Sequence, residues 1–246
     1  MGPVRQAEEG REYRPVADRI IATTRDASSH FAWDRLAFMT DTFGPRHSGS
    51  PNLDAALRWA EAEMKKDSLQ NVRLEPVMVP HWIRGDESLE IVEPFPNSVP
   101  MLGLGGSVST RPEGVSGELM VVGSFDELTA RKDEARGRIV LFNVPYTNYG
   151  ATVRYRGGGA SAAAKVGAVA ALVRSGGPPG MRTPHTGGMG HDETAPKIPT
   201  AAITTEDADR FARMVKRGQT VILRLKMEAR FVADAPSANL IGELRG

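Results

Sequence analysis

The chain contains no cysteine. That excludes a disulfide framework and any zinc site built from thiolates, and it suits the cytosol and a well-packed exported protein equally. Long apolar runs are also missing. Nothing approaches the ~20 consecutive apolar residues of a membrane span, so no membrane-embedded segment is expected. The opening stretch MGPVRQAEEGREYRPVADRIIATTR holds no apolar core of the secretory kind, so no signal peptide is expected in this chain. Neither charge sign dominates: 31 Lys and Arg face 30 Asp and Glu, for a net charge of +1. Without a basic excess or a basic block, no nucleic-acid partner is expected. There is no internal repeat, no G-x-S-x-G elbow, no H-E-x-x-H pair and no complete P-loop.

What remains has an ordinary globular composition, 40% apolar and 25% charged, which argues against disorder. At 246 residues it suits one large domain or two small ones. Val16, Ile20 and Ile21 suggest a short helix over 16–25, after an N-terminal tail of residues 1–14. Trp33, Leu36, Ala37 and Phe43 recur near helical spacing over 30–43, where Gly44 and Pro45 end the run. Ser50 is placed to cap the next helix, with Pro51 at the first helical position, where no N–H is needed. Its apolar stripe is Leu53, Ala56, Leu57, Ala60 and Met64.

From Val72 the period changes. VRLEPVMVP and SLEIVEP read as strands, and Pro76 and Pro80 put the first at an edge or make it bulged. The Pro- and Gly-rich stretch 93–107 reads as a domain boundary. GELMVVG (117–123), GRIVLFNVP (137–145) and AVAALVRS (168–175) suit buried strands, and 157–167 a small helix. Residues 176–197 form a Gly/Pro-rich loop. TAAI then leads into a helix with a Thr204/Asp207 capping box and a stripe of Ala208, Phe211, Ala212 and Val215. The strictest alternation is 221–231, with Val221, Leu223, Leu225, Met227, Ala229 and Phe231 on one face. SANLIGELRG reads as a last strand. The fold class expected is therefore mixed α/β.

Several groups of residues have the composition of sites, and each has a plainer reading. Gly123-Ser124 and Gly105-Gly106-Ser107 follow strands but lack the partners of a nucleophile elbow or phosphate cradle, and read as loop punctuation. Gly157-Gly158-Gly159 before a helix offers an anion turn or a close helix–sheet contact. His185, His191, Asp192 and Glu193 have metal-ligand chemistry but sit in a loop without a periodic scaffold. Asp207 and Asp209 fit the first turn of a helix, where a carboxylate favours the dipole. The polar loop Gly44–Ser50, with Arg46, His47 and Ser48, suits helix capping or the side of a cleft.

The segment RLAFMTDTFGPRHSGSPNLDAAL resembles the opening region of the carboxypeptidase Q-like di-zinc exopeptidases. The resemblance continues in order through LEPVMVPHWIRGDESLEIVEP, GLGGSVSTRPEGVSGELMVV, SFDEL, EARGRIVLFNVPYTNYGATVRYRGGGASAAAKVGAVAALVRS, PHTG and PKIPTAAITTEDADRFARM. PHWIRG and PYTNYGATVRYR are its most specific blocks. The resemblance implies an α/β zinc-peptidase domain, incomplete here, into which a β-rich protease-associated domain is inserted. Residues 15–99 would open the peptidase domain, 100–232 would be the inserted domain, and 233–246 the first returning strand. It also implies two zinc ions and a glutamate base in the complete protein, hydrolysis of dipeptides or release of terminal residues, an extracellular or periplasmic setting, and frequent homodimers. The family's ligands follow the strand after the insertion. No residue of this chain matches one, so no catalytic, metal or cofactor-binding residue is assigned and no zinc is expected in this chain. The alternatives are a non-catalytic binding or dimerisation module built on the protease-associated domain, and a small-ligand α/β binder using Gly157–Gly159.

Overall fold

The computed structural model describes residues 3–26 and 28–245, with side chains from residue 13 onward. No helix among these residues is long and apolar enough to cross a membrane. The chain divides into two compact units, residues 1–46 with 50–75 and 238–246, and residues 47–49 with 76–237. The division into these units falls after residue 75, ahead of the Pro/Gly-rich stretch 93–107.

In the first unit, helix α1 (Pro3–Arg25) runs through most of the span read as a tail. Its Gln, Ala, Glu and Arg residues are good helix formers, and Pro15 removes one backbone bond without ending the helix. Helices α2 (Phe31–Phe43) and α3 (Pro51–Lys66) follow their sequence signals. The Ser50 hydroxyl accepts from the Leu53 N–H at 3.2 Å, with Pro51 in the first turn. Phe38 stacks on Trp59 with ring centroids 5.3 Å apart. Arg35 on α2 grips Asp67 with two bonds of 2.6 and 2.8 Å and reaches Glu63 at 2.9 Å. Even so, α2 buries none of its residues, and Phe31, Trp33 and Leu36 remain more than half exposed. Leu53, Leu57 and Met64 on α3 are half-buried.

Strand β1 (Gln70–Ile83) leads out of this unit, and the last strand of the chain pairs with it in a two-stranded sheet. Both are edge strands, which is why Pro76 and Pro80 fit: neither can donate to a ladder. The rest of the second unit is built on one eight-stranded sheet. Its strands in chain order are β2 (Glu87–Glu93), β3 (Asn97–Val99), β4 (Met101–Gly103), β5 (Val115–Val122), β6 (Ile139–Phe142), β7 (Ala170–Arg174), β8 (Thr200–Ile203) and β9 (Ile222–Met227). The order across the sheet is β3-β2-β9-β5-β6-β7-β8-β4. β5 to β8 are mutually parallel, with antiparallel strands on both flanks. The Pro/Gly-rich stretch supplies β3 and β4, one at each edge of this sheet, so it lies inside the unit.

The parallel strands alternate between two cores. Leu119, Ile139, Leu141, Leu172 and Ile203 meet helix α6 (Thr205–Lys216) through Ala208, Phe211 and Met214. Met120, Val122, Val140, Phe142 and Val173 meet helices α4 (Phe125–Ala130) and α5 (Tyr149–Lys165) through Leu128, Tyr155, Ala160, Ala163 and Ala164. Covered on both faces, these strands have no wet side, which is why they read as continuous apolar runs. The helix read over 157–167 is the second half of the 17-residue α5. Thr204 caps α6 as its sequence signals, accepting from the Asp207 N–H at 3.0 Å.

One alternation is misleading. Val221, Leu223, Leu225, Met227 and Ala229 are buried, but Phe231 is 53% exposed. The chain leaves the eight-stranded sheet after Met227 and begins β10 (Arg230–Glu243), the partner of β1, so Phe231 no longer faces that core. We expect Leu225→Ala to cost about 2–5 kcal/mol and Phe231→Ala about 1 kcal/mol or less in equilibrium urea unfolding. Equal losses would place Phe231 back in the core.

Candidate functional site

With both sheet faces covered, polar chemistry is confined to strand ends and loops. Three segments far apart in sequence meet there: the end of β1 (Pro80–Gly85), the β4–β5 link (Gly103–Ser107) and the loop between β7 and β8. The indole N–H of buried Trp82 donates to the Ser107 carbonyl at 2.9 Å, and the Ser107 hydroxyl accepts from the Thr200 N–H at 2.8 Å. Arg84 donates to the Gly103 carbonyl at 2.6 Å and to Glu87 at 3.2 Å, and Glu87 accepts from the Gly103 N–H. Thr186 also donates to the Gly103 carbonyl, at 2.9 Å. Gly105 bridges to Gly188: its N–H donates to Gly187 and its carbonyl accepts from Met189, both at 2.9 Å. The N–H groups of Gly105 and Ser107 are already committed, to Gly187 and Leu104, so Gly105-Gly106-Ser107 acts as a clamp and not as a phosphate cradle.

The loop Gly44–Ser50 is held by its own contacts. Arg46 donates to the Met39 and Gly44 carbonyls at 3.3 and 2.5 Å. Gly49 has φ +76°, and a Cβ there would lie 2.8 Å from that of Ala235 and 3.0 Å from the His81 ring, so a larger residue would be strained and crowded. His47 packs edge-on against Trp82 with centroids 5.7 Å apart.

The remaining sequence candidates resolve individually. Ser124 caps α4, accepting from the Glu127 N–H at 3.0 Å, and the Glu127 carboxylate accepts from the Gly123 N–H at 2.7 Å. The S-x-x-E spacing of SFDEL carries that signal. Gly157, Gly158 and Gly159 lie inside α5, not at its start, so the anion turn is lost. A Cβ on Gly159 would come within 3.0 Å of the Phe142 ring, so close helix–sheet packing accounts for that glycine. Asp207 is buried against Thr204, Arg182 and Arg210, and Asp209 pairs with Arg174.

The metal-ligand types do not assemble. His191 Nε2 lies 2.7 Å from the Gly106 carbonyl. Asp192 accepts from Lys165 and from Thr194, and these bonds hold its carboxyl well below the usual range. The backbone N–H of His185 donates to the Ser175 hydroxyl at 2.7 Å. Among the described residues no three His, Asp or Glu side chains could hold one metal ion. The two zinc ions implied by the resemblance therefore do not fit this donor set.

The structure also forms a pocket that sequence reasoning does not assemble. It lies beyond the carboxyl ends of β6 and β7, against the first turns of α5, and joins PYTNYGATVRYR to PHTG. Arg156 donates to the Tyr149 hydroxyl at 2.8 Å, and its guanidinium sits against the Gly187 backbone, where a Cβ would come within 2.6 Å of it. Arg174 bonds Asn143 Oδ1 at 2.9 Å and both Asp209 oxygens. His185, Tyr146 and Val144 complete the wall. The only sequence signal was the clustering of Arg and Tyr in one block.

Burial, then the positive charge of Arg84, lowers the pKa of His47 from its ordinary 6.5. A base whose folded pKa is depressed makes the unfolded chain bind more protons, so stability falls as pH drops through the unfolded value toward the folded one. We expect the wild-type protein to lose more stability than His47→Gln between about pH 8 and about pH 5 in urea unfolding. Parallel losses would show that His47 does not contribute to the pH dependence.

No protein-family model matches the chain. It is 47% identical over 240 residues to carboxypeptidase Q from Bos taurus, covering 97% of this chain and 51% of the relative. The structure of a peptidase M28 precursor from Shewanella amazonensis superposes with a TM-score of 0.86 at 32% identity, over 94% of this chain and 54% of the other. A zinc aminopeptidase from Bacillus subtilis shares the fold alone, with a TM-score of 0.59 at 20% identity over 86% of this chain and 46% of the other. The chain spans about half the length of the curated relatives it matches. It is a carboxypeptidase Q homologue, corresponding to part of a peptidase of that family.

Proposed function

We propose that these residues are the N-terminal part of a carboxypeptidase Q-like zinc metallopeptidase. The 47% identity maintained over 97% of the chain is the observation that carries this reading. On it, the first unit belongs to the peptidase domain. Residues 100–232, all inside the second unit, are the inserted protease-associated domain. The large apolar side chains that α2 leaves exposed, Phe31, Trp33 and Leu36, support a peptidase domain with further mass packed on it. The substrate class is the dipeptide or the terminal residue of a peptide, the setting extracellular or periplasmic, and the assembly a homodimer. Zinc would supply an acidified water for attack on the peptide carbonyl. Its ligands would come from outside these 246 residues, and no hydrolytic step is assigned to a residue described here.

A second reading, a non-catalytic binding or dimerisation module, is favoured by one observation: the second unit has cores of its own on both sheet faces. A chimaera separates the two. We expect the bovine carboxypeptidase Q with its matched residues replaced by this chain to bind zinc and hydrolyse unsubstituted dipeptides. A folded, zinc-loaded chimaera without dipeptide turnover would contradict the peptidase reading and favour the module.

A further inference from the structure

We propose that the Arg182–Thr183 peptide bond is a latent processing site for a trypsin-like endopeptidase, carried on a surface loop that opens on its own and is latched shut by Glu206 and Asp207. The loop lies between β7 and β8 in the second unit. Its neck is closed where the backbone N–H of His185 donates to the Ser175 hydroxyl at 2.7 Å. Buried Ser175 is itself fixed to the Ile203 carbonyl through its N–H and its hydroxyl. Between these ends, residues 176–184 form no backbone–backbone hydrogen bond with any described residue. Residues 178–183 are all exposed, Met181 to 88%. Exposed loops of this kind, with their ends close together, are where folded chains are preferentially nicked.

Among the described residues, every hydrogen bond from this segment to the rest of the unit ends on the first turn of α6. One Glu206 oxygen accepts from the Gly180 and Arg182 N–H groups at 2.7 and 3.3 Å. The Arg182 guanidinium grips Asp207 with two bonds of 3.2 and 3.1 Å, and Asp207 is buried, with Thr204 and Arg210 as its other partners. The Gly180 N–H, ahead of the other donors, draws the Glu206 carboxyl down to about 2, so the latch stays ionised at neutral pH. The same contacts make the site latent. Trypsin-like enzymes take the basic side chain before the scissile bond into a pocket that holds a carboxylate, and they bind the flanking backbone as an extended strand. In the closed loop Asp207 already holds that guanidinium. Arg182 also has φ +47°, a left-handed backbone that a non-glycine residue adopts only at a cost. Opening frees the side chain and relaxes the backbone in one step. Cleavage then adds water across the Arg182–Thr183 amide, leaving a carboxylate on Arg182 and an amine on Thr183. β7 and β8 stay paired on either side of the cut, so the nicked unit remains in one piece.

Limited trypsin digestion of the folded 246-residue protein, with mass spectrometry of the new termini, tests this directly. We expect a chain beginning at Thr183 to appear while circular dichroism still reports the folded protein, and the two pieces to co-elute until urea is added. Where the loop opens and closes faster than it is cut, the cutting rate follows the open population. Asp207→Asn removes the charge that holds the guanidinium but keeps the shape, and should raise the rate at Arg182 at least about tenfold. Cutting after Lys226, inside β9, should not rise with it, because that bond is reached only by unfolding the sheet. Should Asp207→Asn fail to melt cooperatively, Glu206→Ala, which releases the Gly180 and Arg182 N–H groups, should raise the rate at Arg182 at least about threefold. No Thr183 terminus from the folded protein, separation of the pieces without urea, an unchanged rate in the folded variant, or an equal rise after Lys226 would each overturn the proposal. None of these outcomes bears on the chimaera, so failure here leaves the peptidase reading to its own test.

Discussion

The parallel strands β5 to β8 are buried on both faces, and most of what distinguishes this protein follows from that constraint. Leu119 and Met120, Ile139 and Val140, and Leu141 and Phe142 point alternately to α6 and to α5, and all are nearly inaccessible. Where the sheet is covered on both sides, from Leu119 onward in β5 and throughout β6, a charged residue could not sit without heavy desolvation, and Glu118, just ahead of that stretch, stays partly exposed. Ionisable groups are displaced to the strand ends, where Arg174 meets Asp209 and Asp207 meets Arg182. The same demand for close covering explains Gly159, whose missing Cβ lets α5 approach the Phe142 ring. The glycine run is thus part of the packing, and the loops are left to carry whatever recognition the unit performs.

Much of the fold was legible because local chemistry and tertiary need agree. Ser50 with Pro51, and Thr204 with Asp207, mark helix starts that the structure keeps. The apolar runs at 117–123, 137–145 and 168–175 become buried strands for the reason the two-sided cover supplies. What the sequence could not reveal is partner choice. Period-two alternation continues through Phe231, yet β9 ends at Met227, because the next residues pair with β1. Likewise, the proline and glycine of 93–107 signal irregular backbone but not that β3 and β4 take opposite edges of one sheet.

The site residues were less legible still, for the same reason. Trp82, Ser107 and Thr200 are linked through two hydrogen bonds although more than ninety residues separate Ser107 from Thr200. Arg156 and Gly187 lie side by side although 31 positions apart in the chain. The blocks that carry the family resemblance, PHWIRG, GLGGS, PYTNYGATVRYR and PHTG, are separate in the chain and converge at strand ends in the structure. Their specificity in sequence has a physical basis in these mutual contacts: the Trp82 indole needs the Ser107 carbonyl, and the Gly187 backbone leaves room for the Arg156 guanidinium.

The second unit carries its own cores on both sheet faces, and the proposed reading assigns the zinc ligands to residues outside these 246. Zinc stoichiometry of the purified 246-residue protein, measured by elemental analysis alongside dipeptide turnover, tests that assignment most directly. The account predicts substoichiometric, weakly held zinc and no turnover. Stoichiometric, tightly bound zinc with dipeptide hydrolysis would contradict it.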